Sequence, residues 1–294
     1  MTISDNTVQP YPSTIPVAIT FDDKKVPEII PQKPEGRIRI RTLCFLGALL
    51  PGLGCYFCIA YTYLFQFDRV LNFTSSHCPN VKSPFPPVSY SIGVWEPQKF
   101  IWLLVLCVHI PPRLFFAMVY KCQYRLGRSI HQKEEWFPGV ARAHMRFLFL
   151  EPLGLIIVSV VDIDSHFFIH SFGYALWLIS FNFNMLLNTI LHHYSGFRDL
   201  HDYHDTTFQL KRLMFIIGCP VSISTAVTYL TYAVYCFNFS DFTEDFCNSY
   251  AAFSIAEYIM VGFNSAFYFL IIWEMGESHI DLTVGNIKPA LMDA

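Results

Sequence analysis

Six stretches of mainly apolar residues, each about as long as a membrane-crossing helix, dominate this chain of 294 residues. They run from Thr42 to Phe65, Gln98 to Tyr120, Ala143 to Val161, Phe167 to Leu191, Leu213 to Tyr235 and Tyr250 to Trp273. About 20 apolar residues in a helix cross the roughly 30 Å of hydrocarbon in a bilayer. The strands of a membrane barrel would be about 10 residues long and would alternate in polarity. The sequence therefore predicts an all-α integral membrane protein, a bundle of six transmembrane helices.

The scarcity of charged residues supports this fold class. Charged residues make up 15% of the chain and hydrophobic residues 53%, whereas soluble domains have about 25% and 45–50%. So few charges do not cover the surface of a soluble globule of this size. The net charge of −3 gives no electrostatic reason to bind nucleic acid. An ordinary cytosolic enzyme, a nucleic-acid-binding protein and a disordered protein are excluded.

The Lys and Arg residues are concentrated on one side of the predicted membrane. Most of the 20 lie in the N-terminal tail, the second and fourth loops and the C-terminal tail, and the third and fifth loops have none. Because loops rich in Lys and Arg stay in the cytosol, both termini are predicted to be cytosolic, and loops one, three and five lumenal. We expect a disordered, Pro-rich cytosolic tail over residues 1–36, a six-helix transmembrane domain over 37–276 and a cytosolic tail over 277–294.

The glycosylation sequons and three cysteines agree with this orientation. The sequons begin at Asn72 and Asn238, both in predicted lumenal loops, and Asn72 is the expected glycosylation site because Asn238 is close to a helix end. Cys78, Cys236 and Cys247 also fall in predicted lumenal loops, where disulfides form. Three thiols allow one disulfide, and the residues alone leave its partners open.

Two ionisable residues are predicted within the second and third membrane helices. Arg113 and Glu151 each lie about seven residues, or roughly 10 Å, from the cytosolic end. Two interpretations remain open: a salt bridge that locks the two helices, or a site where Arg113 grips a lipid phosphate. Beside Arg113, the prolines Pro111 and Pro112 predict a kink, with freed carbonyls that His109 or Arg113 can satisfy. Such a kink either lines a cavity or is simply a packed bend.

A second group of ionisable residues is predicted at the lumenal side. Asp162, Asp164, His166 and His170 have the chemistry of metal ligands, although residues of this kind at a short loop are usually solvated. Glu257 lies about seven residues into the sixth helix and is expected to approach His170. The two residues would form either an acid–base pair or a buried hydrogen-bonded pair. Asn264, further along the same helix, is of a type that usually joins membrane helices by hydrogen bonds.

The order and spacing of several short stretches resemble a known family. They are His77-Cys78, Pro86 through Gly93, Pro97-Gln98, His109 with Pro112-Arg113, Glu151, Ile169-His170, Lys211-Arg212-Leu213, Tyr235-Cys236, Glu257-Tyr258, Asn264 with Ala266-Phe267, and Trp273 with Gly276. From Arg41 to Gly276 the chain resembles the FRAG/DRAM/SFK membrane proteins, and within them the branch of the post-GPI-attachment factors and the N-terminal domain of the CWH protein. The sequence departs from the family pattern in its Pro-rich tail and at Asn184, where a His is expected.

The resemblance implies lipid remodelling of glycosylphosphatidylinositol (GPI) anchors after their attachment to protein, by fatty-acid exchange and re-acylation. It leaves open whether the chain is the acyltransferase or an accessory factor. The expected location is the Golgi membrane, with the endoplasmic reticulum membrane as an alternative. The expected partners are GPI-anchored proteins, membrane lipids and remodelling enzymes, and no cofactor is implied. The alternative is a non-enzymatic lipid-organising or regulatory protein like the DRAM and SFK branches.

The resemblance also implies roles for individual residues. His170 and Glu257 become candidate catalytic residues. His109, Arg113, Glu151 and Asn264 become candidate lipid-binding residues. Cys78 and Cys236 are implied to form a disulfide between loops one and five. Asp162, Asp164 and His166 do not match the family, so no metal site is expected.

Overall fold

A computed structural model of the chain describes residues 36–75, 77, 83–238, 245–275 and 277–282. Within these residues, six helices are long and apolar enough to cross a membrane. We name them α1 to α6 in chain order. They are α1 (Ile40–Phe65), α2 (Gln98–Leu126), α3 (Trp136–Val160), α4 (Phe167–Tyr194), α5 (Asp202–Asn238), and α6, which runs from Asp245 to Phe269 and, after Leu270, from Ile271 to Met275. The six predicted membrane helices are confirmed as helices. The predicted N-terminal tail lies outside the described residues apart from Gly36.

Two helices begin well before their predicted starts. Helix α3 starts at Trp136 rather than Ala143, and α5 starts at Asp202 rather than Leu213. These first turns carry charged residues, which lower the local hydropathy but do not prevent helix formation. The predicted kink in α2 is also displaced. The helix continues through Pro111 and Pro112 and is interrupted at Phe115, whose N–H donates to the Pro112 carbonyl at 3.1 Å.

A two-stranded antiparallel sheet joins the two ends of the bundle. Strand β1 (Gly36–Arg39) precedes α1 and pairs with β2 (His279–Leu282), which follows α6. Arg37 Nε also donates to Asp281 Oδ1 at 3.0 Å. Both ends of the helical region therefore lie on the same side, which we call the sheet end. The opposite side is called the loop end, and its lumenal orientation stays a prediction.

The helices form a ring in chain order. Each of them packs against the next, and α6 packs back against α1. Helices α3 and α4 approach most closely, at Gly154 and Gly173. A Cβ atom added to Gly154 would lie 2.4 Å from the backbone nitrogen of Trp177, and one added to Gly173 would lie 2.7 Å from that of Val158. Only glycine permits this separation, as at other membrane helix interfaces with small residues.

Large apolar side chains cover the outside of the ring. Phe168 is 78% exposed, and Leu64, Leu104 and Phe172 are also largely exposed. The interior holds buried His, Asn, Glu, Arg and Lys side chains. This distribution suits a bundle surrounded by lipid, in which polar groups face inward.

Candidate functional site

Four polar side chains meet at the centre of the bundle, and we call them the central network: Arg113, Glu151, Asn264 and Tyr268. Arg113 Nη2 donates to Glu151 Oε1 at 2.7 Å and to Asn264 Oδ1 at 2.6 Å. Glu151 also accepts from Asn264 Nδ2 at 2.6 Å and from the Tyr268 hydroxyl at 2.5 Å. The guanidinium carbon of Arg113 lies 4.3 Å from the centre of the Tyr268 ring. The salt-bridge interpretation is confirmed, and the Glu151 carboxylate accepts hydrogen bonds on both oxygens, as a buried charge requires.

The ion pair lies near the middle of its two helices. Helices α2 and α3 extend further toward the sheet end than the apolar stretches do. At 1.5 Å per residue, Arg113 and Glu151 are therefore about 20 Å from the sheet end of their helices.

The central network continues through Asn184 to His144 and Tyr124, which the sequence interpretation missed. Asn184 donates to Glu151 Oε2 at 3.1 Å, and its Oδ1 lies 2.7 Å from His144 Nε2. His144 Nδ1 in turn lies 3.2 Å from the Tyr124 hydroxyl, which accepts from Asn188 at 2.9 Å. His144 was detectable as an ionisable residue at the edge of a predicted membrane helix. The family pattern predicts a His at position 184. The Asn found there is instead bonded to His144 of the neighbouring helix α3.

His109 lies outside the central network. Its ring is fully buried, and Nδ1 donates to the carbonyl oxygen of Val105 at 2.8 Å. The carbonyls freed by Pro111 and Pro112 are those four residues earlier, at Cys107 and Val108. The expectation that His109 satisfies a freed carbonyl is wrong.

A second buried ion pair lies at the sheet end. Lys211 and Glu274 are in contact, and Gln123 donates to the same carboxylate at 2.9 Å. His192 Nδ1 lies 3.4 Å from Glu274 Oε1. We call these four residues the Lys211 cluster. The sequence interpretation grouped Lys211 with the basic residues of the cytosolic loops. Its burial against Glu274 was missed because both residues lie just outside the predicted helices.

His170 lies at the loop end and is held by two hydrogen bonds. Its Nε2 is 2.9 Å from the Ser89 hydroxyl, and its Nδ1 is 2.8 Å from the Val161 carbonyl oxygen. Ser89 precedes a short π-helical turn, Tyr90–Val94, in the loop between α1 and α2. The imidazole is thus fixed between the end of α3 and the first loop.

Glu257 is buried near His170, but the two are not directly paired. Glu257 Oε2 accepts the backbone N–H of Val88 at 2.7 Å. Among the described side chains, His170 and Glu257 form no hydrogen bond with each other. The interpretation of His170 and Glu257 as a direct pair, whether acid–base or simply hydrogen-bonded, is wrong. The two residues instead hold the adjacent residues Val88 and Ser89.

The other polar residues near His170 do not form a metal site. The Asp164 N–H donates to Asp162 Oδ1 at 2.8 Å, and Lys99 Nζ lies 3.6 Å from Asp162 Oδ2. His166 is exposed. Among the described residues, no group of three or more His, Cys, Asp or Glu side chains is placed to hold a metal ion. The His170 ring nitrogens are bonded to Ser89 and Val161 and not to Asp162, Asp164 or His166.

Two adjoining cavities meet at Ser89, Tyr174 and Glu257, which line both. The outer cavity, of about 10 Å³, lies at the loop end and is also lined by His170. The inner cavity, of about 50 Å³, extends into the bundle as far as Arg113 and Asn264. Its walls between these polar ends are mainly apolar, with Val88, Ile92, Trp102, Leu155, Val158 and Val261. Glu257 and Asn264 are seven residues apart on α6, so the polar ends are about 10 Å apart.

Two further predicted sites lie in the first loop and near the end of α5. Asn72 is exposed just after the short helix Phe67–Leu71. Cys236 is disulfide-bonded, and its Sγ lies 3.3 Å from the carbonyl oxygen of His77. The expected partner Cys78 lies outside the described residues, so the pairing stays a prediction.

Comparison with known proteins identifies the family. The family model described as the Frag1/DRAM/Sfk1/Cwh43P N-terminal domain matches residues 40–278. The Post-GPI attachment to proteins factor 2 of Drosophila melanogaster is 26% identical over 239 residues, which cover 81% of this chain and 86% of the relative. The Acyltransferase PGAP2 of Xenopus tropicalis is 25% identical over 248 residues, covering 83% and 90%. That of Danio rerio is 28% identical over 198 residues, covering 64% and 79%. No solved structure matches the chain. The chain belongs to the Frag1/DRAM/Sfk1/Cwh43P N-terminal domain family.

Proposed function

We propose that this chain remodels the lipid of GPI anchors after the anchor has been attached to protein, by re-acylation. Relatives that match most of the chain are named post-GPI attachment factor 2, and two of those compared are named acyltransferase. Re-acylation requires a membrane protein that holds both an apolar chain and the ester through which the chain is attached.

The observation that carries the proposal is the pair of adjoining cavities. The outer cavity contains an imidazole, which is suited to moving a proton to or from an ester or hydroxyl oxygen. The inner cavity has mainly apolar walls, as an acyl chain requires, and its volume of about 50 Å³ means that a chain must separate the surrounding helices to enter it. An acyl chain in the inner cavity therefore has its carboxyl end beside Ser89, Glu257 and His170.

The candidate site residues take different roles in this proposal. His170 transfers the proton, and Glu257 positions the backbone at Val88. Arg113 and Asn264 form the polar floor of the inner cavity. Glu151 supports them from outside that cavity through the central network. His109 packs beside Trp102, with ring centres 6.0 Å apart, and supports the cavity wall.

The predicted orientation agrees with this chemistry. The acyl esters of a GPI anchor lie at the lumenal surface of the bilayer, and the outer cavity lies at the loop end, which the basic residues predict to be lumenal. We therefore propose a site of action in the Golgi membrane, with the endoplasmic reticulum membrane as the alternative. GPI-anchored proteins and remodelling enzymes are the proposed partners.

The test is the lipid composition of GPI anchors in cells that lack this chain. We expect fewer exchanged acyl chains on the anchors, measured by mass spectrometry, and recovery when the chain is re-expressed. Anchors of unchanged composition in cells without the chain would contradict the proposal.

A non-enzymatic, lipid-organising function is the second candidate. The central network favours it, because Arg113 and Glu151 satisfy each other within the protein, as in a structural lock. His170→Ala distinguishes the two functions, with His166→Ala as its matched control because His166 is exposed and only four residues earlier. If His170→Ala loses re-acylation at normal protein abundance while His166→Ala keeps it, the chain is an enzyme. Equal re-acylation in both variants indicates a lipid-organising protein.

A further inference from the structure

The hydrogen bond between Ser89 and His170 has a defined direction. The Val161 carbonyl oxygen can only accept, so the proton of the neutral imidazole is assigned to Nδ1, 2.8 Å away. Nε2 is then an acceptor, and the Ser89 hydroxyl, 2.9 Å from it, must be the donor. Ser89 is 7% exposed and His170 is 3% exposed, so little solvent competes for this bond.

This direction is the one that activates a serine nucleophile. A serine hydroxyl attacks an ester only when an adjacent base accepts its proton, and the base needs a third group that holds it in the correct tautomer. His170 is such a base, and the Val161 carbonyl is the group that orients it. The arrangement depends on three separate segments: the first loop, the end of α3 and the start of α4.

The backbone beside Ser89 is also fixed. Glu257 accepts the N–H of Val88, and the Tyr258 hydroxyl donates to the carbonyl oxygen of Pro86. Both of these side chains belong to α6. Helix α6 therefore fixes the backbone at Pro86 and Val88, and α4 supplies the base His170. Together they hold the Ser89 hydroxyl where the two cavities meet.

A further hydroxyl is available at the same place. Tyr174 lines both cavities and is 7% exposed, and its hydroxyl has no hydrogen-bond partner among the described residues. An unpaired buried donor is costly to a protein. The Tyr174 hydroxyl can donate to the carbonyl oxygen of a bound ester, where negative charge develops during acyl transfer.

We propose that Ser89 is a catalytic nucleophile that carries the acyl chain as a covalent ester between donor and acceptor lipids. The inference rests on the proposed re-acylation and adds its mechanism. The acyl donor is a carboxylic ester or thioester, the acceptor is a lipid hydroxyl, and Tyr174 donates to the carbonyl oxygen of the reacting ester.

In the first step, Ser89 Oγ forms a bond to the carbonyl carbon of the donor while His170 Nε2 takes the serine proton. The bond between that carbon and the donor oxygen or sulfur then breaks, and the leaving atom takes the proton from His170. In the second step, the acceptor hydroxyl gives its proton to His170 and attacks the acyl-Ser89 carbonyl. Ser89 Oγ leaves and recovers the proton. One acyl bond is exchanged for another, with no oxidant or reductant.

The experiment uses the purified full chain in lipid nanodiscs without an acceptor lipid. One arm supplies phosphatidylcholine with an isotope-labelled saturated acyl chain, and the other supplies the same chain as a coenzyme A thioester. We expect one labelled acyl group on the protein in one of the two arms, and fragment mass spectrometry should assign it to Ser89. The arm that labels the protein identifies the donor class. A label on another residue, or no label in either arm while the same preparation re-acylates an added lyso-lipid, overturns the inference.

Variants test the same point by activity. Ser89→Ala should take no label and lose roughly 10³-fold or more of the re-acylation rate. Ser89→Cys should form a thioester that hydroxylamine removes. The matched control is Ser91→Ala, since Ser91 is buried two residues away and lines neither cavity. Ser91→Ala should keep both label and activity.

The result also separates this inference from the proposed function. If Ser89→Ala restores normal anchor composition in cells that lack the chain, Ser89 is not the nucleophile, although the proposed function stands. If the anchors are normal without the chain, the proposed function itself fails.

Discussion

The ammonium group of Lys211 lies 2.8 Å from each carboxylate oxygen of Glu274, and neither side chain is exposed. The same nitrogen is 5.1 Å from the centre of the Tyr120 ring. The pair joins the beginning of α5 to the end of α6, and Gln123 adds α2 to the contact. Buried charges of this kind stabilise a fold only while both partners are present.

Lys211→Met should therefore lower the free energy of unfolding by about 3–5 kcal/mol, because it leaves the Glu274 carboxylate buried and unpaired. The double variant Lys211→Met/Glu274→Leu should recover most of the loss. Thermal unfolding of the detergent-solubilised protein measures both, with Arg212→Met, at an exposed neighbour, as the control. A double variant no more stable than the single one would contradict this account.

The close contact between α3 and α4 predicts opposite effects for two glycines on the same helix. Gly154→Ala should destabilise the protein by about 1–3 kcal/mol, because the new Cβ meets the backbone of Trp177. At Gly139, a new Cβ would meet no atom within 4 Å among the described residues. Gly139→Ala should therefore stabilise α3 by roughly 0.5–1 kcal/mol. Equal unfolding temperatures for the two variants would show that α3 and α4 do not approach at Gly154.

Reducing the inner cavity should shorten the acyl chain that is transferred. Val261→Phe puts a ring into the apolar wall, and each methylene group that no longer fits should lower the transfer rate about 10-fold or more. Mass spectrometry of the anchors measures the chain lengths. Val227→Phe is the control, because Val227 is 55% exposed on the outer face of α5. An unchanged chain-length distribution in Val261→Phe would exclude the inner cavity as the chain site.

The disulfide at Cys236 should pair with Cys78. Peptide mapping without reducing agent should find this link and should find it again in Cys247→Ser. Cys236→Ser should cost about 2–4 kcal/mol of stability by releasing the first loop from α5. A link from Cys236 to Cys247 would replace the predicted pairing.

Asn72 should carry an N-linked glycan, because it is exposed at the loop end. Asn72→Gln should remove the gel shift that an amidase specific for N-glycans produces in the wild-type protein. A glycan on Asn72 would show that the loop end faces the lumen. A glycan found instead on a sequon introduced between α2 and α3 would reverse the orientation.

The sequence predicted the helices and the Arg113–Glu151 contact for simple physical reasons. Long apolar stretches require membrane helices, and two opposite charges at similar depth in adjacent helices can be neutralised by pairing. His170 and Glu257 were likewise found because ionisable groups are rare in such helices. Each of these signals is contained in a short segment of the chain.

The remainder of the site depends on contacts between distant segments. Ser89 is an ordinary loop serine until α4 brings His170 against it. Lys211 and Glu274 lie at helix ends, where hydropathy cannot distinguish a buried charge from a solvated one. Proximity in three dimensions, which no local pattern encodes, is what turns these residues into a site.

The pairing of β1 with β2 determines where the bundle can open. An up-and-down set of helices ordinarily frays from its first and last members, since each has a neighbour on only one side. Here α1 and α6 are packed together, and a strand ladder and the Arg37–Asp281 ion pair fasten the chain just outside them. Partial unfolding must therefore begin at a boundary within the ring and not between its first and last helices, which the ladder keeps together.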